Sequence, residues 1–304
     1  DDRHHSCLAS RYPVAKPGVT TRLAEGNTHM KKRWLIFGGC LLLFISYTVF
    51  FNPFGTNVAK RLEPASFEHW LGTDGLGRDF AARLFLAGLI SLGFSLLTVL
   101  LTAIIGTFLG CIAGFYGGRL NRLIHRLADS LVIFPDTVLA LVIAGLVGAS
   151  PQSLIFAILL IKWISYARLS EALVTETIQK PYISMARING LTDKMILRRH
   201  ILPPIMRQVV VLMSLDVGKV ILFLSAFSYI GLGVQAPFPE WGAMLNEGRP
   251  YFSSAPRLML LPGACIILTV VMTMGWTRWM KKKGGHVNDS DSELTRSGET
   301  RPSA

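Results

Sequence analysis

The sequence predicts an all-α, polytopic membrane protein with about six transmembrane helices. Three observations carry that expectation. Hydrophobic residues make up 51% of the 304 positions and charged residues only 16%, with a mean hydropathy of +0.43. The apolar residues fall in runs near the ~20 residues that cross a hydrocarbon core of about 30 Å at about 1.5 Å per helical residue. The net charge of +12 is concentrated beside those runs. That is the positive-inside pattern of a membrane protein rather than a nucleic-acid-binding surface.

Residues 1–29 are polar and show neither apolar periodicity nor the apolar core of a signal peptide. They read as a disordered extension ahead of Met30-Lys31-Lys32-Arg33. A first span follows over Trp34–Phe51, with an external loop up to residue 86. The loop ends in Gly72-Thr73-Asp74-Gly75-Leu76-Gly77-Arg78-Asp79. Its glycines permit tight turns while Thr73, Asp74 and Asp79 can cap backbone N–H groups. Structural punctuation and substrate contact are both open readings of this stretch.

The core is expected over 87–283. A second span, about Ala87 to Phe115, carries Gly88, Gly93, Gly106, Gly110 and Gly114, small residues that let helices approach. Arg119, Arg122 and Arg126 mark the cytoplasmic side of the turn after it. A third span runs from Arg126 to about Val147. There Arg126 and Asp129 stand at helical spacing, and Asp136 lies deeper, where an unpaired charge is expensive. Asp136 therefore faces a pore or is neutralised by a partner. A fourth span covers about Leu154 to Ala167, with Lys162 read as snorkelling. A fifth, about Val209 to Ile230, holds Asp216 and Lys219 on one helical face. These two either line a path or neutralise each other. The last span is about Leu258 to Trp276, after which Arg278 and Lys281–Lys283 place the C-terminus inside. The polar tail, 284–304, reads as disordered.

Between the fourth and fifth spans, residues 171–207 read as two short helices joined by a hinge. Pro181 suits a first helical turn, and Gly190 can take the left-handed conformation that ends that helix. Thr192 offers an N-cap, and Pro203-Pro204 is expected to stop the second helix. Such a basic knuckle suggests a docking surface for a water-soluble partner.

Here the sequence resembles the permeases of ABC importers. Their coupling motif is Glu-Ala-Ala, three residues, Gly, nine residues, then Ile-x-Leu-Pro. Ser184-Met185-Ala186, Gly190 and His200-Ile201-Leu202-Pro203 fall on it, with Ser184 in place of Glu and His200 in place of Ile. The outer-loop word around Gly72, Thr73, Asp74, Gly77, Arg78 and Asp79 is similar to a signature of the dipeptide, oligopeptide and nickel branch. The words containing Gly231 and Gly233, and Trp241-Gly242-Ala243-Met244-Leu245, are similar to that branch as well. The C-terminus lacks the usual closing motif.

The resemblance implies a type I ABC importer permease fold, a C-type subunit in the bacterial inner membrane, with both termini cytoplasmic. It also implies partners: a homologous second permease subunit, two ABC ATPase subunits, an extracytoplasmic substrate-binding protein and the lipid around them. ATP and Mg would be bound by the partner ATPases, since this chain carries no Gly-x-x-x-x-Gly-Lys-Ser/Thr phosphate loop. Cys7, Cys40, Cys111 and Cys265 form no close pair, so no metal site is expected, and the positive-inside charge pattern argues against nucleic acid. Ser184, Met185, Ala186, Gly190, His200, Leu202 and Pro203 would couple to the ATPase. Asp136, Asp216 and Lys219 would stand on the translocation path. The implied substrate is a small peptide, with nickel or a metal–metallophore complex as the alternative. An ion-driven secondary transporter would use the same three charged residues as a relay. A membrane-embedded enzyme would need a nucleophile–base or metal constellation, such as His-Glu-x-x-His, which the sequence lacks.

Overall fold

The computed structural model describes the backbone of residues 53–298 and the side chains of 53–280. The expected polar extension 1–29 and first span Trp34–Phe51 lie outside the described residues. Among those described, four helices are long and apolar enough to cross a membrane, or five if one bent pair is a single span. The only β pairing among them is a bridge between Thr73 and Asp79.

Helix α1 spans Phe80–Tyr116 and starts seven residues earlier than hydropathy suggests. The early start follows from Asp79, whose carboxylate accepts the Ala82 N–H at 2.7 Å and so caps the first turn. The helix carries its small residues as a stripe. Gly106, Gly110 and Gly114 face the backbone of Trp163, Ala167 and Glu171 on α4, which spans Pro151–Ile178. Both series advance four residues at a time, so two helices running in the same direction meet along a shared ridge. Gly93 takes no part in this approach, since nothing lies within 4 Å of a Cβ built there.

The expected third span is broken. Helix α2, Gly118–Val132, and helix α3, Asp136–Val147, meet at 87°. Pro135 causes the break: it lacks an N–H for the ladder and disfavours helical geometry at Phe134. The Asp136 carboxylate then falls in the first turn of α3, where the helix dipole favours an anion. Helix α4 begins with a reciprocal Ser150–Ser153 capping box and Pro151, then runs beyond the expected Ala167 to Ile178. The first residues assigned to the loop 171–207 are therefore the end of a spanning helix.

The knuckle itself forms as expected in its first half. Helix α5, Pro181–Ile188, ends at Gly190 with φ +80°. Helix α6, Asp193–Ile196, starts at Thr192, whose side chain makes no cap bond; the Thr192 carbonyl accepts Met195 and Ile196 N–H instead. Pro203-Pro204 does not stop the helix. A π turn over Leu197–Ile201 leads directly into α7, Leu202–Tyr229. The wider turn hands the Leu202 N–H to the Leu197 carbonyl, and the prolines then sit in a first turn whose N–H groups are not needed.

Helix α8, Trp241–Gly248, is short and lies against α7 and the last helix, α9, Arg257–Gly298. The polar tail, expected to lack regular structure, continues as helix to Gly298, since extending a formed helix avoids a new nucleation step. One apolar cluster gathers Phe80, Leu84, Ile221, Trp241, Met244 and Leu258 around α8. A second gathers Tyr166, Val174, Ile183, Ile196, Ile201 and Ile205 under the knuckle.

Candidate functional site

Three assemblies hold the residues singled out by the sequence. At the knuckle, Ile183 is 0% exposed and Ala186 is buried, and they anchor α5 to the bundle. Helical spacing then turns the other face outward: Ser184 and Gly190 are exposed, as are the apolar side chains of Tyr182, Met185, Ile188 and Met195. His200 is half-buried with its ring 6.5 Å from that of Tyr182. Leu202 is half-buried and Pro203 exposed at the start of α7. The structure thus brings Ser184, Met185 and Gly190 to one surface but makes Ala186 a packing residue. These exposed apolar side chains, with Arg198 and Arg199 exposed further along the same stretch, have the chemistry of a protein-docking face.

The second assembly lies inside the spanning helices. Lys219 Nζ is 3.3 Å from Asp216 Oδ1, one turn apart on α7. Asp136 does not pair with either; its carboxylate receives Lys162 Nζ from α4 at 2.7 Å. Lys162, which the sequence reads as snorkelling, is thus an ion-pair partner. Asp136, Lys162 and Lys219 line one cavity of about 60 Å³ between α3, α4 and α7, together with Ile158, Ile161 and Phe223. Asp216 is buried and pairs with Lys219. The expected Arg126–Asp129 pair does not form: Asp129 accepts Arg168 at 2.8 Å across the helix pair. A signal for Lys162 was available, as the one lysine in an otherwise apolar run has to find an acid or an aqueous path.

The third assembly closes the outer end. Asp74 Oδ1 accepts the N–H groups of Leu76 and Arg78, while its Oδ2 takes Arg78 Nε at 2.6 Å. Arg83, only 1% exposed, places Nε 3.4 Å from the same oxygen. Glu247 of α8 then accepts Arg78 at 2.9 Å and Arg83 at 2.8 Å. Two arginines and two carboxylates from distant parts of the chain thus share one network beside a cavity of about 240 Å³. Asp79 caps α1 and also accepts His69 Nδ1. Thr73 bridges the Glu63 N–H and the Lys60 carbonyl. Gly72 and Gly77 adopt φ of +76° and +72°, and a Cβ at Gly77 would overlap the Asn57 carbonyl. Next to this network Glu240 is 0% exposed. It accepts Ser91 Oγ at 3.0 Å, Ser225 Oγ at 3.1 Å and the Ala243 N–H at 3.0 Å. Trp241 donates its indole N–H to the Leu84 carbonyl. Gly233 packs on Ser228, and Gly231 turns the chain with φ +87°. The signature residues Asp74 and Arg78 thus take part in the ion-pair network and also line the cavity beside it. Arg83 and Glu247 complete the network around Asp74 and were not singled out as site residues, because they meet across 164 positions of the chain; Glu240 likewise bonds Ser91 149 positions away.

Comparison with known proteins places this geometry. Residues 106–286 match the family described as binding-protein-dependent transport system inner membrane component. A glutathione transport system permease protein of Pectobacterium atrosepticum is 39% identical over 209 residues, 69% of each chain. A dipeptide transport system permease protein of Alkalihalophilus pseudofirmus is 38% identical over 216 residues, 71% of each chain. A nickel transport system permease protein of Escherichia coli is 34% identical over 221 residues, 73% of this chain and 80% of its own. A solved structure of the MetNI methionine ABC transporter in inward-facing conformations aligns with a TM-score of 0.50 and 15% identity, over 63% of this chain and 92% of its own, which shows the fold. Permeases of this family work with ATPase and substrate-binding partners. The chain belongs to the binding-protein-dependent transport system inner membrane components and is an ABC importer permease, a transport subunit rather than an enzyme.

Proposed function

We propose that the protein forms half of the translocation pathway of an importer for small peptides. In this reading six spans leave both termini in the cytoplasm, a homologous permease supplies the other half, and two ATPases bind ATP and Mg. A receptor outside the membrane delivers the substrate over the roof formed by α8. The observation that carries the reading is the knuckle: an anchored helix with Met185, Tyr182 and Ile188 turned outward, pivoting at a left-handed Gly190. Ser184, Met185, Gly190, His200, Leu202 and Pro203 belong to the docking region, with Ala186 holding it to the bundle. A remote ATP event can shift the gate only if the docked face makes different contacts in the two states.

Asp136, Asp216 and Lys219 stand on the path in this proposal. Lys219 supports it, since its side chain is 58% exposed although it lies near the middle of a spanning helix. A lysine at that depth faces water or protein rather than hydrocarbon. Peptide as substrate is supported by the glutathione and dipeptide permeases among the relatives, at 39% and 38% identity. Nickel or a metallophore complex is the second reading, favoured by the nickel permease that aligns over 80% of its length.

Gly190→Ala tests the coupling. Nothing lies within 4 Å of the added Cβ, so only the left-handed backbone is penalised, by about 1–2 kcal/mol. The expected result is a correctly inserted importer whose ATP-driven uptake falls several-fold while subunit abundance is unchanged. Unaltered uptake would remove the hinge from the mechanism. Uptake of labelled dipeptide and of radioactive nickel, each with and without this subunit, decides between the two substrates.

A further inference from the structure

The cavity between α3, α4 and α7 has a property that the pathway reading does not by itself require. Asp136 lies 11 residues from Val147, Lys162 lies 11 from Pro151, and Lys219 lies 10 from Tyr229. At about 1.5 Å per residue, all three stand roughly 15–17 Å from the same end of the bundle. That is about half of a ~30 Å hydrocarbon thickness. Three helices thus deliver their charged side chains to one level.

The cavity wall holds two lysines and one carboxylate; Asp216, buried and paired with Lys219, does not line the space. An ammonium group has three donors. Lys162 makes one hydrogen bond, to Asp136 at 2.7 Å, and Lys219 makes one, to Asp216 at 3.3 Å. The second is longer than the ~2.7–2.9 Å usual for a charge-assisted bond. Lys219 is therefore loosely held, with donors unspent toward the cavity. Both side chains reach solvent, 29% exposed at Lys162 and 58% at Lys219, so an arriving carboxylate can take these donors in place of water. The remaining wall, Ile158, Ile161, Val220 and Phe223, excludes competing polar groups.

We infer that Lys162 and Lys219 form a subsite for a carboxylate of the transported molecule, with Asp136 positioning Lys162. A cavity of about 60 Å³ holds a few waters, the size of a carboxylate group rather than a whole dipeptide. The rest of the substrate extends into the pathway outside it. This subsite admits molecules with a free carboxylate, such as peptides with an unblocked C-terminus. It disfavours a bare divalent cation, which would meet two positive groups at short range. The inference rests on the reading that Asp136 and Lys219 lie on the pathway, and it names a residue, Lys162, that this reading does not need.

The test uses the complete importer, with its second permease, ATPases and receptor, in proteoliposomes. The probe is radiolabelled dialanine at saturating receptor, so that selection by the receptor is the same for every variant. Lys162→Met and Lys219→Met are each expected to lower maximal uptake about tenfold or more, as for the loss of a hydrogen bond to a charged group. Stimulation of ATP hydrolysis by the loaded receptor should persist, and Lys219→Arg should retain most of the uptake. Equal uptake by both methionine variants and the unsubstituted importer overturns the inference. So does a Lys219→Arg importer as impaired as Lys219→Met at equal membrane abundance. Lys219→Cys separates the two readings through labelling by a small hydrophilic thiol reagent, against the unsubstituted importer as background. Labelling together with undiminished uptake in the methionine variants leaves the pathway reading in place and removes the carboxylate subsite. Absence of labelling removes both. Uptake of free nickel without uptake of dialanine removes the peptide reading and the subsite with it.

Discussion

Gly110→Ala is expected to prevent assembly of the bundle at growth temperature, although it adds a single methyl group. The added Cβ would fall on the Ala167 carbonyl oxygen and close to its Cα and carbonyl carbon, all of them helix backbone. Side chains can rotate away from an intruding atom, but the backbone of a spanning helix moves only as a body. To admit the methyl, α1 and α4 must separate along their shared ridge. That also opens the contacts at Gly106, against Trp163 and Tyr166, and at Gly114, against Glu171. Overpacking typically costs about 1–3 kcal/mol, and a contact with backbone belongs at the upper end. In a membrane, where helix association depends on close packing rather than on a hydrophobic force, no compensating term is available. The measurement is the amount of detergent-extractable, monodisperse subunit and its melting temperature. Gly93→Ala is the internal control: with nothing within 4 Å of its Cβ, it should be neutral or mildly stabilising through better helix propensity. Equal abundance of the Gly110 and Gly93 variants would contradict the ridge.

Arg83→Ala is expected to have the other large effect, by opening the outer network. Arg83 is 1% exposed and bonds both Asp74 and Glu247. Its removal leaves Asp74, itself nearly buried, with one cationic partner and loosens Glu247 from the start of α1. Breaking one side of a buried ion pair costs about 3–5 kcal/mol. Glu247 is 37% exposed on its side chain, so its share is reduced by solvent and the lower end of that range applies. The result should be a loss of melting temperature of several degrees and increased proteolysis between α7 and α9, where the roof is tied down by Glu247. Arg83→Ala combined with Glu247→Ala should cost less than the sum of the two single changes, since the second removes a partner already stranded by the first. Additive losses would mean that the two residues do not act as a pair.

Much of the architecture was readable along the chain because its signals are local. A hinge at Gly190 and a first-turn proline at Pro181 each follow from the conformational preferences of one residue and its neighbours. Hydropathy located the spans for the same reason. Two local signals misled. Pro203-Pro204 reads as a stop, yet a π turn before it lets the helix continue. Phe134-Pro135 reads as part of a continuous span, yet it turns the chain through 87°. A proline pair announces that hydrogen bonds are missing and leaves open whether the chain breaks or shifts its register.

Partnerships were decided at a distance. Asp136 sits at helical reach of neighbours on its own segment but bonds Lys162, 26 positions away. Arg78 and Arg83 meet Glu247 across more than 160 positions. The sequence by itself determined that this chain crosses a membrane, roughly where the spans among the described residues lie, which stretch resembles an ATPase-docking knuckle, and that charges are carried into apolar segments. Those properties depend on composition, periodicity and single-residue backbone preferences, which are local in the chain. Only the tertiary structure decided which charges pair and which side chains line the cavity, because helix rotation and crossing set those contacts. Rotation and crossing are fixed by close approach at Gly106, Gly110 and Gly114, through contacts made between distant segments.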